Sequence, residues 1–75
     1  MSAKLPAANS RKVVGVLEKL GFELIRQSGS HATYRHPDGR WTIVAIHSVK
    51  TIPKGTLRKI IRDTGLTVDE FWEML

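Results

Sequence analysis

Seventy-five residues, 8.4 kDa, hold one small domain, because a chain this short buries only about 60% of its unfolded surface and cannot support two cores. Hydrophobic residues at 41% and charged residues at 25% exclude a disordered tail or a fibrous repeat. With no cysteine and a formal charge of +5, a disulfide framework, a thiolate metal site and a cysteine nucleophile are also excluded, and a reducing cytoplasmic home and a polyanionic partner are expected.

No apolar stretch approaches the roughly 18 residues of a membrane span, and Met1 to Ser10 lacks the apolar centre of a signal peptide, so neither a membrane location nor an obvious secretion route is expected. The charge is uneven. All twelve basic residues and three acidic ones lie between Met1 and Arg62, and four acidic residues with no basic one follow. A basic body with an acidic end suits phosphate neutralisation by the body and leaves the last segment for another task.

Residues 1–9, with Pro6 and no periodicity, are expected to form a flexible arm, and residues 10–75 a single domain. Val13, Val14, Leu17 and Leu20 recur at helical spacing between an N-cap at Asn9 or Ser10 and the stop signal Gly21. Phe22 to Gln27 and His31 to His36 alternate, separated by Ser28-Gly29-Ser30. Pro37-Asp38-Gly39 makes a second turn, and Trp41 to Ile46 runs apolar and β-branched. Turns this short leave no room for a crossover helix, so the three strands make an antiparallel meander.

After a loop from Ser48 to Ile52, Pro53 starts a second helix whose buried face is Leu57, Ile60, Ile61 and Thr64, with Gly65 as its end. Thr67 to Glu70 has the form of a capping box, followed by Phe71, Trp72 and Leu75 as apolar anchors of a short third helix. The expected fold is α+β, a three-stranded antiparallel sheet packed by helices on one face, similar to a double-stranded-RNA-binding domain.

Chemistry-bearing residues are few, and no H-E-x-x-H, G-x-S-x-G or phosphate-loop pattern is present. Histidine titrates near neutrality, so His31, His36 and His47 are the first candidates for proton transfer. His31 follows Gly29 and Ser30, where a glycine turn lets a phosphate backbone come close. Period-two alternation puts Ala32 and Tyr34 in the core and His31, Thr33 and Arg35 on the outer face. An imidazole beside a guanidinium suits RNA cleavage, in which a base takes the 2′-hydroxyl proton and a cation stabilises the phosphorane.

His36, before Pro37, reads as a turn residue, and His47, near Ser48 and Lys50, as a phosphate or base contact. Lys54, Arg58 and Arg62, spaced four apart, form a basic stripe on the second helix, with Lys59 beyond it and Gly55 near the helix start, where backbone N–H groups can meet a phosphate. Trp41 and Tyr34 are assigned to packing, with stacking on bases as their alternative.

Four segments carry a resemblance: Leu17-Glu18-Lys19-Leu20-Gly21-Phe22, Arg26-Gln27-Ser28-Gly29-Ser30-His31, Arg35-His36-Pro37-Asp38-Gly39-Arg40 and Lys54-Gly55-Thr56-Leu57-Arg58-Lys59-Ile60-Ile61. In this order the chain resembles the HicA (YcfA-like) mRNA interferase toxins of prokaryotic toxin–antitoxin pairs. The resemblance implies a double-stranded-RNA-binding-like fold, mRNA cleavage that arrests translation, His31 of the Gly-Ser-His triplet as the catalytic residue, no metal or other cofactor, and a HicB-type antitoxin that occludes His31. The chain departs from the family where Ala45-Ile46 replaces a proline before the second histidine, His47.

The expected function is thus a metal-independent endoribonuclease toxin, with Gly29, Ser30, Arg35, His47, Lys50, Lys54, Arg58, Lys59 and Arg62 as RNA contacts. The second proton-transfer group is left among His47, a lysine and water. The competing expectation is a non-catalytic RNA-binding module on the same fold. A third makes the protein an interaction subunit whose basic surface docks an acidic protein.

Overall fold

In the computed structural model, which describes residues 7–46 and 51–75, the elements are α1 (Ser10–Leu20), β1 (Glu23–Ser28), β2 (His31–Arg35), β3 (Trp41–Ala45), α2 (Lys54–Thr64) and α3 (Val68–Met74). The sheet is antiparallel in the order β1-β2-β3. This is the expected α+β architecture of a double-stranded-RNA-binding-like domain, closed by a short C-terminal helix. None of the helices described is long and apolar enough to cross a membrane.

Asn9 caps α1, its side chain accepting from the Lys12 N–H at 3.0 Å, and Gly21 closes the helix in the left-handed conformation. The buried face of α1 is Val13, Val16 and Leu17, with Val14 and Leu20 at its margin. The expected stripe thus holds but is centred slightly to one side, and it includes Val16. On α2 the expected set Leu57, Ile60, Ile61 and Thr64 is buried in full.

Two segments ahead of the helices hold each other. Asn9 and Thr51 form an isolated antiparallel bridge, the Ile52 N–H donates to the Ala8 carbonyl at 2.8 Å, and Ala8 and Ile52 are both buried. Packing therefore reaches back to Ala8, inside the stretch expected to be an arm. The bridge starts α1 and α2 side by side, and both run across the sheet in the same direction.

Ala32, Tyr34, Thr42 and Val44 point into the core, so the alternation read on the second strand holds, and the third, read as an apolar run, alternates as well. β1 differs, because every residue of it is exposed. It is an edge strand beyond the reach of helices that pack mainly on β3, and a bulge at Ile25 interrupts its register. Leu24 and Ile25 are each about half exposed. Trp41 corrects its packing assignment in the same way: at 55% exposure it lies on the outer face of the sheet, opposite Arg35. Tyr34 is buried as assigned.

The capping box of α3 is complete, with Thr67 and Glu70 each binding the other's backbone N–H. Phe71 is fully buried and Val68 and Met74 pack partly buried against the core, whereas Trp72 and Leu75 are exposed and correct the expectation that they are anchors. A seven-residue helix presents little more than one buried position per turn, and here Phe71 takes it.

Phe71→Ala should therefore cost about 3–5 kcal/mol in urea unfolding, the range for emptying an aromatic core site. Trp72→Ala should cost about 1 kcal/mol or less. Equal losses would mean that α3 packs in a different rotation.

Candidate functional site

His31 opens the central strand, immediately after the turn at Gly29 and Ser30. Gly29 holds φ 58, a left-handed value at which any Cβ is disfavoured although nothing lies within 4 Å to meet one. The turn is tightened by the Gln27 amide donating to the Gly29 carbonyl at 3.2 Å and by the Ile46 N–H donating to the Ser30 carbonyl at 2.6 Å. The imidazole of His31 is exposed on the outer face, as the alternation requires.

The register names its neighbours. Ser28 stands opposite His31 on β1 and Ala45 on β3, with Thr33 next along β2. Arg26 pairs with Thr33 and so shares the outer face, on the diagonal from His31, where backbones are roughly 7–8 Å apart. Arg35 lies four residues along the strand, roughly 13 Å away, between Glu23 and Trp41. The expected imidazole beside the Arg35 guanidinium is thus corrected by strand geometry. Arg26, read earlier only as part of a motif, is the nearer cation.

The same end of the molecule holds both helix starts. Neither α1 nor α2 carries an acidic residue in its first turn, and no side chain caps α2. Basic residues stand there instead: Arg11 and Lys12 on α1, Lys54 on α2, all exposed. Helix N-termini carry partial positive charge and usually attract carboxylates, so cations there add to a positive potential at this end of the fold. By contrast, α3 has Asp69 and Glu70 in its first turn. Arg11 and Lys12 were missed by the sequence reading, although two basic residues just after an N-cap were visible as a departure from the usual charge preference.

Gly55, in the first turn of α2, is exposed, with open space where a Cβ would stand. Lys54, Arg58 and Arg62 are exposed along α2, and among the described residues none of them has an ion-pair partner. Lys59 differs, since its ammonium lies 3.0 Å from Asp63 Oδ2, the oxygen that also accepts the Thr42 hydroxyl at 2.9 Å. Its charge is partly answered inside the fold. His47 and Lys50 lie outside the described residues.

His36 belongs to the opposite end. Its ring packs edge-on against Phe22 at 5.3 Å, and its Nδ1 accepts the Asp38 N–H at 3.1 Å. Arg40 sits over the other ring contact of Phe22, donates to the Thr64 carbonyl and pairs with Asp38 at 2.8 Å. The Arg40 backbone N–H, followed by its guanidinium, holds the Asp38 carboxyl below the usual carboxylate range. This cluster ties the second hairpin to the ends of the helices and is structural.

Between α1 and the inner side of β1 lies an open cleft of about 470 Å³, reached around the Gly29 turn. Among the described residues, no three His, Cys, Asp or Glu side chains converge on a point suited to a metal ion.

The family model of the HicA toxin of bacterial toxin–antitoxin systems matches residues 10–66, from the start of α1 to just past α2. The chain belongs to the HicA toxin family. The match takes in the Gly-Ser-His turn, Arg26, both helix starts and the basic stripe, and it leaves α3 outside. No curated protein matches the chain. As a family member it is a toxin of a two-component pair, and an antitoxin partner goes with that role.

Because Gly29 is held by conformation and not by crowding, Gly29→Ala should lower unfolding stability by about 1–2 kcal/mol, and Gly29→Asn by less, since asparagine tolerates this region. Both are read by denaturant titration. An unchanged stability for Gly29→Ala would show that the turn is not kept left-handed.

Proposed function

We propose that this toxin is a metal-independent endoribonuclease that cleaves mRNA in the cytoplasm and so arrests translation, with His31 as its catalytic residue. One observation carries the reading: an exposed imidazole on a glycine turn stands at the end of the fold where two helix starts without carboxylates gather Arg11, Lys12 and Lys54. The helix starts and these cations hold phosphates through backbone N–H groups and charge. Arg58 and Arg62 extend the track along α2.

In the reaction the His31 imidazole takes the proton of a 2′-hydroxyl, whose oxygen attacks the adjacent phosphorus. The bond to the 5′-oxygen breaks, leaving a 2′,3′-cyclic phosphate and a 5′-hydroxyl. Arg26 meets the extra negative charge of the phosphorane from its diagonal position. Among the described residues no titratable side chain stands directly opposite His31 in the sheet register, and the leaving oxygen takes its proton from His47, which lies outside the described residues, from a lysine or from water. A HicB-type antitoxin covers the outer sheet face, where exposed Ile43, diagonal to His31, and Trp41, opposite Arg35 farther along, supply apolar anchors.

The test incubates the toxin with a defined mRNA in EDTA, which disables contaminating metal nucleases, and measures both cleavage and binding. His31→Ala should lose about 10²–10⁴-fold in rate and Arg26→Ala about 10²-fold, both retaining RNA binding. Arg35→Ala should change the rate only a few-fold. An RNA bound but never cut by the native chain, or cut equally well by His31→Ala, overturns the reading in favour of a binding module.

A further inference from the structure

Apart from Arg11, which it shares with the helix starts, the cleft behind β1 plays no part in the chemistry above. Its floor and walls are Tyr34, Val14 and Ile46, and its rim carries Arg11, Glu18 and Gln27. Gly15 lies in the middle of α1 and faces into it. A glycine inside a helix is unfavourable, and here no crowding calls for one, because a Cβ at Gly15 would meet nothing within 4 Å. Its backbone is not left-handed either. What the missing side chain does is keep the cleft open.

The polar groups are placed around that gap. Arg11 stands four residues before Gly15 and Glu18 three after it, so their Cα atoms are about 10.5 Å apart along the helix axis, with the bare patch at Gly15 between them. A flat ligand lying on Gly15 and against the Tyr34 ring would meet a carboxylate that accepts N–H groups at one end and a guanidinium that donates to ring nitrogen, carbonyl oxygen or phosphate at the other. A cleft of about 470 Å³ has room for a two-ring base, which covers more of its apolar floor than a one-ring base does. Burial, and secondly the nearby Glu18 charge, push the Tyr34 hydroxyl above its ordinary range, consistent with a sheltered floor.

The cleft lies on the inner face of the sheet, one residue along β1 from the partner of His31. Gln27 lines it from the inner face of β1, while the next residue, Ser28, faces His31 on the outer face. A strand bent around the Gly29 turn can therefore present a phosphate to His31 and tuck its neighbouring base behind β1. We propose that this cleft is a purine-base subsite that seats the nucleotide next to the scissile bond, with Glu18 reading the base and Gly15 leaving room for it. This rests on the ribonuclease reading for its place in the reaction, but the binding itself does not.

Mononucleotides contain no bond for the toxin to cut, so the native full chain serves for the test. GMP, AMP, CMP and UMP are titrated and amide resonances followed by nuclear magnetic resonance. GMP or AMP should shift the Gly15, Glu18 and Gln27 amides saturably, at least tenfold more tightly than CMP or UMP. Gly15→Leu, which fills the gap, should weaken that binding at least tenfold with the amide spectrum otherwise folded, and Glu18→Gln should do the same without any change of volume. Gly15→Ala should remain folded and bind more weakly by a smaller factor. Purine shifts confined to other residues, equal affinity for pyrimidines, or indifference to both Gly15→Leu and Glu18→Gln would overturn the subsite. A failure here leaves His31-dependent cleavage standing, and a loss of cleavage chemistry leaves the purine titration to be read by itself.

Discussion

The bridge between Asn9 and Thr51, with the Ile52 N–H on the Ala8 carbonyl, decides where this small fold puts its charge. A two-residue contact between the segments ahead of α1 and α2 brings their N-termini together and sends both helices across the sheet in the same direction. Two partial positive charges are thus added at one end, and neither first turn supplies a carboxylate to answer them. Like charges at Arg11, Lys12 and Lys54 add to this positive end, and the polyanion proposed as substrate would offset them. Stability is provided elsewhere, by Phe71, Leu57 and the Val13 to Leu17 face packed on β2 and β3.

The two ends of the molecule accordingly do different work. At the far end Phe22, His36, Asp38, Arg40 and the Thr64 carbonyl are knit by ring contacts and hydrogen bonds, and the helix C-termini meet their basic partners there. At the near end the groups face solvent. The catalytic role proposed for His31 needs this division, since a sheet end fixed by the packing behind it can hold the imidazole in place while leaving its outer side open to solvent.

Much of this was legible from residue spacing. The stops at Gly21 and Gly65, the capping box at Thr67 and the alternation of β2 all depend on neighbours in the chain, and each stands where it was read. What escaped depends on distant partners. Whether Trp41 and Trp72 are buried is decided by which sheet face and helix side meet the core, and an apolar side chain reads alike in both cases. β1 looked weakly alternating because, as an edge strand, it has no covered face to impose a pattern. Arg26 became a neighbour of His31 only once the strand register was known, and Arg35 ceased to be one for the same reason. The joining of Arg11 and Lys12 to Lys54 required the Asn9–Thr51 bridge, which no local signal announces.

Everything proposed for His31 assumes that RNA supplies its own nucleophile from the 2′-hydroxyl. The most direct measurement is the chemistry of the ends left when the purified toxin cuts a defined mRNA in EDTA. A 2′,3′-cyclic phosphate, or its hydrolysis product, upstream of each cut and a 5′-hydroxyl downstream is the predicted result. A 3′-hydroxyl paired with a 5′-phosphate would contradict it, because those ends require attack by water and give an imidazole beside the 2′-oxygen no proton to take.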